Sequence, residues 1–227
     1  MAVTLNAASP KVTTTGTSLN ISNFTLAARK NSIILVPINF QAVVTNVVMT
    51  WDAAGANQAF TLVHSGVHNA NNLKIYALLT PGSEGNKTIS ITWTTSAFVE
   101  AGVVAFDNVL QTSLAEAVTD ATTNNATSTT DSITIPSSSG DSSVALTAAG
   151  DVLSAPTTTE IFNDTSVIAA YKLSVNTSDV HQWTVATSAP WRIIGVRVNQ
   201  ADRTAPARYS RFPKPAMASP ILAGRLL

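Results

Sequence analysis

Three histidines and a scatter of carboxylates are the residues of this chain whose types could do chemistry. His64 and His68 stand four apart, a spacing that suits two zinc ligands on one helical face. They fall in or beside a β-branched run, where the period is two, and zinc-type companions are missing. No metal site is expected. His181 lies two residues from Asp179. Without a serine on a nucleophile elbow it reads as a surface-loop histidine and not as part of a Ser-His-Asp relay. Glycoside hydrolysis needs two carboxyl groups about 5–10 Å apart, whereas Glu84, Glu100, Glu116 and Glu160 are spread over different segments. Glu100 interrupts the apolar run 98–106 and is expected on the wet face of a strand. The glycines fall singly at turns, so there is no phosphate cradle. With no cysteine there is no disulfide, thiolate metal site or thiol nucleophile. Neither catalysis nor a cofactor is expected.

The elements that would carry these residues are strands. Ile89, Ile91 and Trp93 alternate with Ser90 and Thr92, which predicts one dry and one wet face. The segment 47–51 repeats the pattern. Residues 32–40 are apolar on both faces, but Pro37 cannot donate to a ladder, so the run is either a central strand with a bulge or an edge strand. Further strands are expected at 60–64, 73–79, 98–106, 132–135, 143–146, 167–173, 182–186 and 191–198. Residues 80–86, 119–131 and 136–141 are rich in turn formers and read as connections. The best helical stretch, 112–121, offers a turn or two. Trp51, Trp93, Trp183 and Trp191 all fall in or beside these strands and are expected to build the core and not a sugar-stacking platform. Short strands without crossover helices predict an all-β protein, an antiparallel β-sandwich or jelly roll.

Composition bounds the setting. Charged residues make up 11% of the chain, less than half of the roughly 25% usual for soluble domains. Ser, Thr and Asn supply the polarity, which suits strands lying against other protein. The net charge is zero, which favours neither a nucleic-acid binder nor an acidic tail. No apolar run is long enough to span a membrane as a helix, and residues 1–11 lack the pattern of a secretory signal. Charge is nonetheless uneven. Residues 1–199 carry eight Lys/Arg against twelve Asp/Glu, while residues 200–227 carry five against one.

Two larger features stand out. Residues 75–78, Trp93, Ser96, Ala97, Gly102 and Val103 are echoed by residues 170–173, Trp183, Ser188, Ala189, Gly195 and Val196, either as a pseudo-repeat or by coincidence in a low-diversity sequence. Residues 1–199 are expected to form the sandwich domain and residues 200–227 an extended Pro/Arg-rich C-terminal arm. Four prolines and no strand pattern favour extended polyproline conformation there. Tyr209, Phe212, Ile221, Leu222, Leu226 and Leu227 are its expected anchors on a neighbour. Arg203, Arg208, Arg211, Lys214 and Arg225 are placed to pair with carboxylates.

The stretches VTNVVMTWDAAG (44–55), LKIYALLTPGSEGNKTISITW (73–93), SAFVEAGVVAFDNV (96–109) and SAPWRIIGVRV (188–198) resemble a family of β-sandwich domains of bacteriophage virion proteins and bacterial surface proteins. The resemblance covers roughly residues 15–199 and leaves the arm outside. It implies jelly-roll-like packing and a structural or adhesive role, and brings no catalytic residues with it. The expectation is a virion structural protein, a capsid decoration or cement protein or another head or tail component. Its partners would be the major capsid protein or tail components and copies of itself, with no direct contact to nucleic acid or membrane. The alternative is a carbohydrate-binding or adhesive module.

Overall fold

The chain forms two antiparallel sheets in a computed structural model that describes residues 1–27, 31–154 and 157–201. The first half holds β1 (Thr4–Leu26), β2 (Ile33–Phe40), β3 (Val48–Trp51), β4 (Gln58–Ala59), β5 (Thr61–His68), β6 (Asn71–Leu79) and β7 (Gly85–Asp107). A single helical turn, α1 (Leu114–Ala117), leads to the second half. There follow β8 (Val118–Pro136), β9 (Ser142–Ala149), β10 (Leu153–Ser154), β11 (Thr159–Asp164), β12 (Val167–Leu173) and β13 (Ser178–Val198). The expected all-β sandwich is what the chain forms.

Each half is organised around a long two-stranded ribbon. β1 pairs along the whole of β7, and β8 along the whole of β13. The other edge of each closing strand is shared. On β7, β3 takes the first part and β2 the last; on β13, β10 and β9 do the same. β6 and β5 then extend from β2 just as β12 and β11 extend from β9. The two halves therefore share one topology, β4 being extra in the first.

Three apolar clusters follow from strand alternation. On β2, Ile34, Val36, Ile38 and Phe40 point into a core belonging to the first half, which also holds Ile89, Ile91 and Trp93. Ile33 and Leu35 point the other way, into a core shared with Val144, Leu146 and Ala148 of β9. Phe106 meets Tyr171 edge-on across that shared layer, ring centroids 5.7 Å apart. The third cluster, with Trp183 and Trp191, belongs to the second half. β2 and β9 are thus buried on both faces, which is why 32–40 reads as an unbroken apolar run. All four tryptophans are buried, as the strand pattern predicts.

Several expectations need correction. Residues 119–131, read as a turn-rich connection, are most of β8, and residues 4–26, where no strand is expected, form β1. Residues 4–18 and 119–130 are ribbon segments largely exposed on either face, so no apolar alternation marks them, whereas Leu19, Ile21, Phe24 and Leu26 of β1 and Ile133 and Ile135 of β8 turn into the cores. The segments 89–93 and 98–106 are one strand, as are 182–186 and 191–198. Pro37 sits in a central strand with no bulge: register runs from Leu35↔Val104 to Ile38↔Ala101 unshifted, and only the bonds between are missing. The echoed sequences are not the structural repeat. Tyr76 lies in the first core and Tyr171 in the shared one, so that alignment puts equivalent residues on opposite faces. The arm from residue 202 onward, with every anchor and cation named for it, lies outside the described residues.

Candidate functional site

Of the buried polar groups that break the apolar interior, two constellations hold titratable side chains pushed far from their ordinary range. The first lies on the seam between the halves. Glu100 of β7, expected on a wet face, is 1% exposed. The wet-face reading fails because β7 is covered on both sides here: its even-numbered residues face the second sheet. Asn39, directly opposite on β2, donates from Nδ2 to Glu100 Oε2 at 3.1 Å and to Asn71 Oδ1 at 2.9 Å. Asp164, at the end of β11, hydrogen-bonds to Glu100 from the other half. Lys11 Nζ of β1 lies 2.7 Å from Asp164 Oδ2.

Local sequence explains the convergence. Pairing of β1 with β7 steps from Ser9↔Val103 to Val12↔Ala101, so Pro10 and Lys11 form a bulge, a device that re-aims a side chain. β11 turns into β12 through Thr165 and Ser166, with Thr165 at positive φ, which fixes Asp164 at the hairpin end. Gly102 admits β11: a Cβ there would lie 2.7 Å from Phe162 Cδ1 and 2.8 Å from Ile161 Cγ2. Burial first, then the Asp164 carboxyl, push Glu100 up to about 8, while Asp164 is held below the usual carboxylate range by Glu100 and Lys11. At neutral pH the seam holds a neutral carboxylic acid, a carboxylate and an ammonium in a row.

The second constellation lies inside the second half. His181 is fully buried on β13, a correction to the surface-loop reading: the strand begins at Ser178, and its odd-numbered residues fold inward. Ser143 Oγ lies 2.8 Å from His181 Nε2 and 2.8 Å from Asp179 Oδ2, and the Ser174 hydroxyl also donates to Asp179. Further along, Thr147 donates to Asp131, whose carboxyl burial pushes up to about 7. Burial, with the Lys172 charge, pulls His181 down to about 3, so its ring is neutral. Serine, histidine and aspartate meet here, yet not as a nucleophilic relay. Asp179 holds the serine and not the far side of the ring, and His181 Nδ1 has no partner.

The matching interior of the first half is apolar, with Leu19, Ile21, Ile34, Ile38, Ile89 and Ile91. The topology alone therefore does not require polar residues there. Asp131 Oδ1, Asp179 Oδ1, His181 Nδ1 and Trp183 Nε1 are all buried without a hydrogen-bond partner.

His64 and His68 are not brought together on a metal. His64 Nε2 lies 2.9 Å from the Thr122 carbonyl of β8, and His68 Nε2 3.1 Å from Asn69 Nδ2. Among the described residues no group of three or more His, Cys, Asp or Glu has metal-binding geometry. A groove of about 490 Å³ lined by Thr61, Leu62, Val63, Leu114, Ala115 and Val118 shares no residue with either constellation. Sequence reading passed over Lys11, Asn39, Ser143 and Asp164. The available signals were the Pro10–Lys11 break within a Thr/Ser/Ala run and the Asp-Thr-Ser turn at 164–166. No family model, no curated protein and no solved structure matches this chain.

Proposed function

We propose that this protein is a structural subunit of a larger particle, a bacteriophage virion component such as a capsid decoration or cement protein, acting through contacts with other particle proteins and with copies of itself. The free edge of β8 is the observation that carries this reading. Among the described residues β8 pairs as a strand with β13 alone, its other edge being touched by His64 at Thr122 and Thr123, and residues 121–130 contain neither charge nor proline. Monomeric proteins blunt such edges with lysines, prolines or bulges because unpaired N–H and C=O groups invite another strand. β1 has Pro10, Lys11 and four register shifts, whereas β8 keeps unbroken register with β13 over 122–128 and again over 130–136. An edge of that length, flanked by a Thr/Ser/Asn surface, suits a protein whose neighbours cover it.

Resemblance to phage and surface-protein sandwiches and the low charge content support the same setting. The glycan-binding alternative loses the feature that spoke for it, since each tryptophan is buried and offers no ring to a sugar. Mass spectrometry of purified particles from the source tests the proposal. The chain should be present at a fixed, high copy number, and Asn125→Lys with Thr127→Lys should lower that number. Particles that lack the chain altogether would sink the reading.

A further inference from the structure

We propose that Lys11 and Asp164 become joined by an intramolecular amide bond, with the Glu100 carboxyl as the acid that promotes its formation. The proposal stands on geometry independent of the particle reading. Nucleophile, electrophile and acid come from three strands in two sheets: Lys11 from the β1 bulge, Asp164 from the β11 hairpin end, Glu100 from β7. Lys11 Nζ is already held against the Asp164 carboxylate, 2.7 Å from Oδ2, so the two reacting groups are brought together by the fold. Glu100 hydrogen-bonds to the same carboxyl and is itself anchored by Asn39.

An exposed lysine–aspartate pair does not condense, because the carboxylate is a poor electrophile and the ammonium has no lone pair. The third residue changes both. Glu100 is protonated at neutral pH, so the site carries one more proton than an ordinary ion pair, and the Glu100 O–H can donate a hydrogen bond to the Asp164 carboxyl. One proton passes from the Lys11 ammonium to the Asp164 carboxylate, leaving a neutral amine beside a carboxylic acid. The Nζ lone pair then attacks Cγ, and the Glu100 O–H stabilises the oxygen on which negative charge develops. The C–O bond to the departing hydroxyl breaks. A proton from nitrogen leaves with that hydroxyl, relayed through the Glu100 carboxyl, which ends protonated as it began. Ammonium and carboxylate have become an amide and one water, with no oxidant or external reagent. The side chains of Lys11 and Asp164 are 31% and 30% exposed, an open side through which the water departs.

Such a bond would tie the first half to the second. It also gives one purpose to three features: the bulge at Pro10–Lys11, the absence of a side chain at Gly102, and a buried acid in an otherwise apolar layer.

Intact-mass spectrometry of the denatured full-length chain decides the matter. The wild type, kept folded at neutral pH, should be lighter than its sequence mass by one water, and digestion should yield a branched peptide joining residue 11 to residue 164. Glu100→Gln should show the full mass. Should that variant fail to fold, Lys11→Arg keeps the cation beside Asp164 and should also show the full mass. A wild type at full sequence mass after long incubation overturns the proposal. So does a missing water that persists in Lys11→Arg, since the loss would then lie elsewhere.

Discussion

Asp131 illustrates how far a single buried group governs the behaviour of this protein. Its carboxyl is completely shielded, accepts from Thr147 and is pushed up from 3.8 to about 7 by burial. The folded state therefore holds the proton more tightly than the unfolded chain does, and the stability this confers at acid pH is lost as pH rises from about 4 through about 7. Asp131→Asn removes that titration while keeping an acceptor for Thr147. Melting temperature recorded from pH 4 to 8 should fall less steeply in the variant than in the wild type; identical slopes would mean that the carboxyl is solvated. His181 acts in the opposite direction, its stability contribution falling as pH drops from 6.5 towards about 3. Sequence reading singled out Glu100 and His181 but assigned both to water. The sequence shows that a residue alternates with apolar neighbours. It does not show that a second layer covers the strand's other face. Ile89, Ile91 and Trp93 were legible because their own face was apolar throughout.

At the scale of elements, legibility tracked burial. β2, β6, β9 and β12 carry enough Ile, Val, Leu and Ala to be read directly, whereas residues 4–18 of β1 and 119–130 of β8 are held by backbone pairing to a neighbour and leave little trace in the side chains. The close packing of β11 on β7 rests on a residue that is easily passed over. Gly102→Ala would put a methyl group 2.7 Å from Phe162 Cδ1 and 2.8 Å from Ile161 Cγ2. Phe162 and Ile161 are packed in the shared core and have little room to yield. The substitution should cost about 1–3 kcal/mol, read as a lower denaturation midpoint at unchanged slope. An unaltered midpoint would show that β11 does not approach so closely. The amide proposed between Lys11 and Asp164 depends on the same approach, so loss of the branched peptide should accompany the loss of stability.

For the molecule as a whole, the sequence pointed to a repeat without locating it. The halves share a strand order, yet the most alike tetrapeptides, 75–78 and 170–173, put their tyrosines in different cores. Conserving topology needs only which strand pairs with which, and side chains on both faces of β6 and β12 are free to diverge so long as each stays apolar. Gln200 bridges to Val109, the Gln200 N–H donates to Asp141 at 3.1 Å, and the Ala201 N–H donates to the Asn108 carbonyl at 2.7 Å. The last strand is therefore anchored before the arm begins. Residues 200–227 carry a net +4 against −4 for residues 1–199, which would speed and orient encounter between subunits. If these residues dock on a neighbour as proposed, their prolines would reduce the entropy lost. Deleting residues 203–227 should leave the melting temperature of the isolated protein within a few degrees, because the described body already closes through the Gln200 and Ala201 contacts. Incorporation into the particle should fall sharply. A truncated protein that fills its sites at full copy number would show that the arm has no part in assembly, leaving the β8 edge as the surface through which the subunit is held.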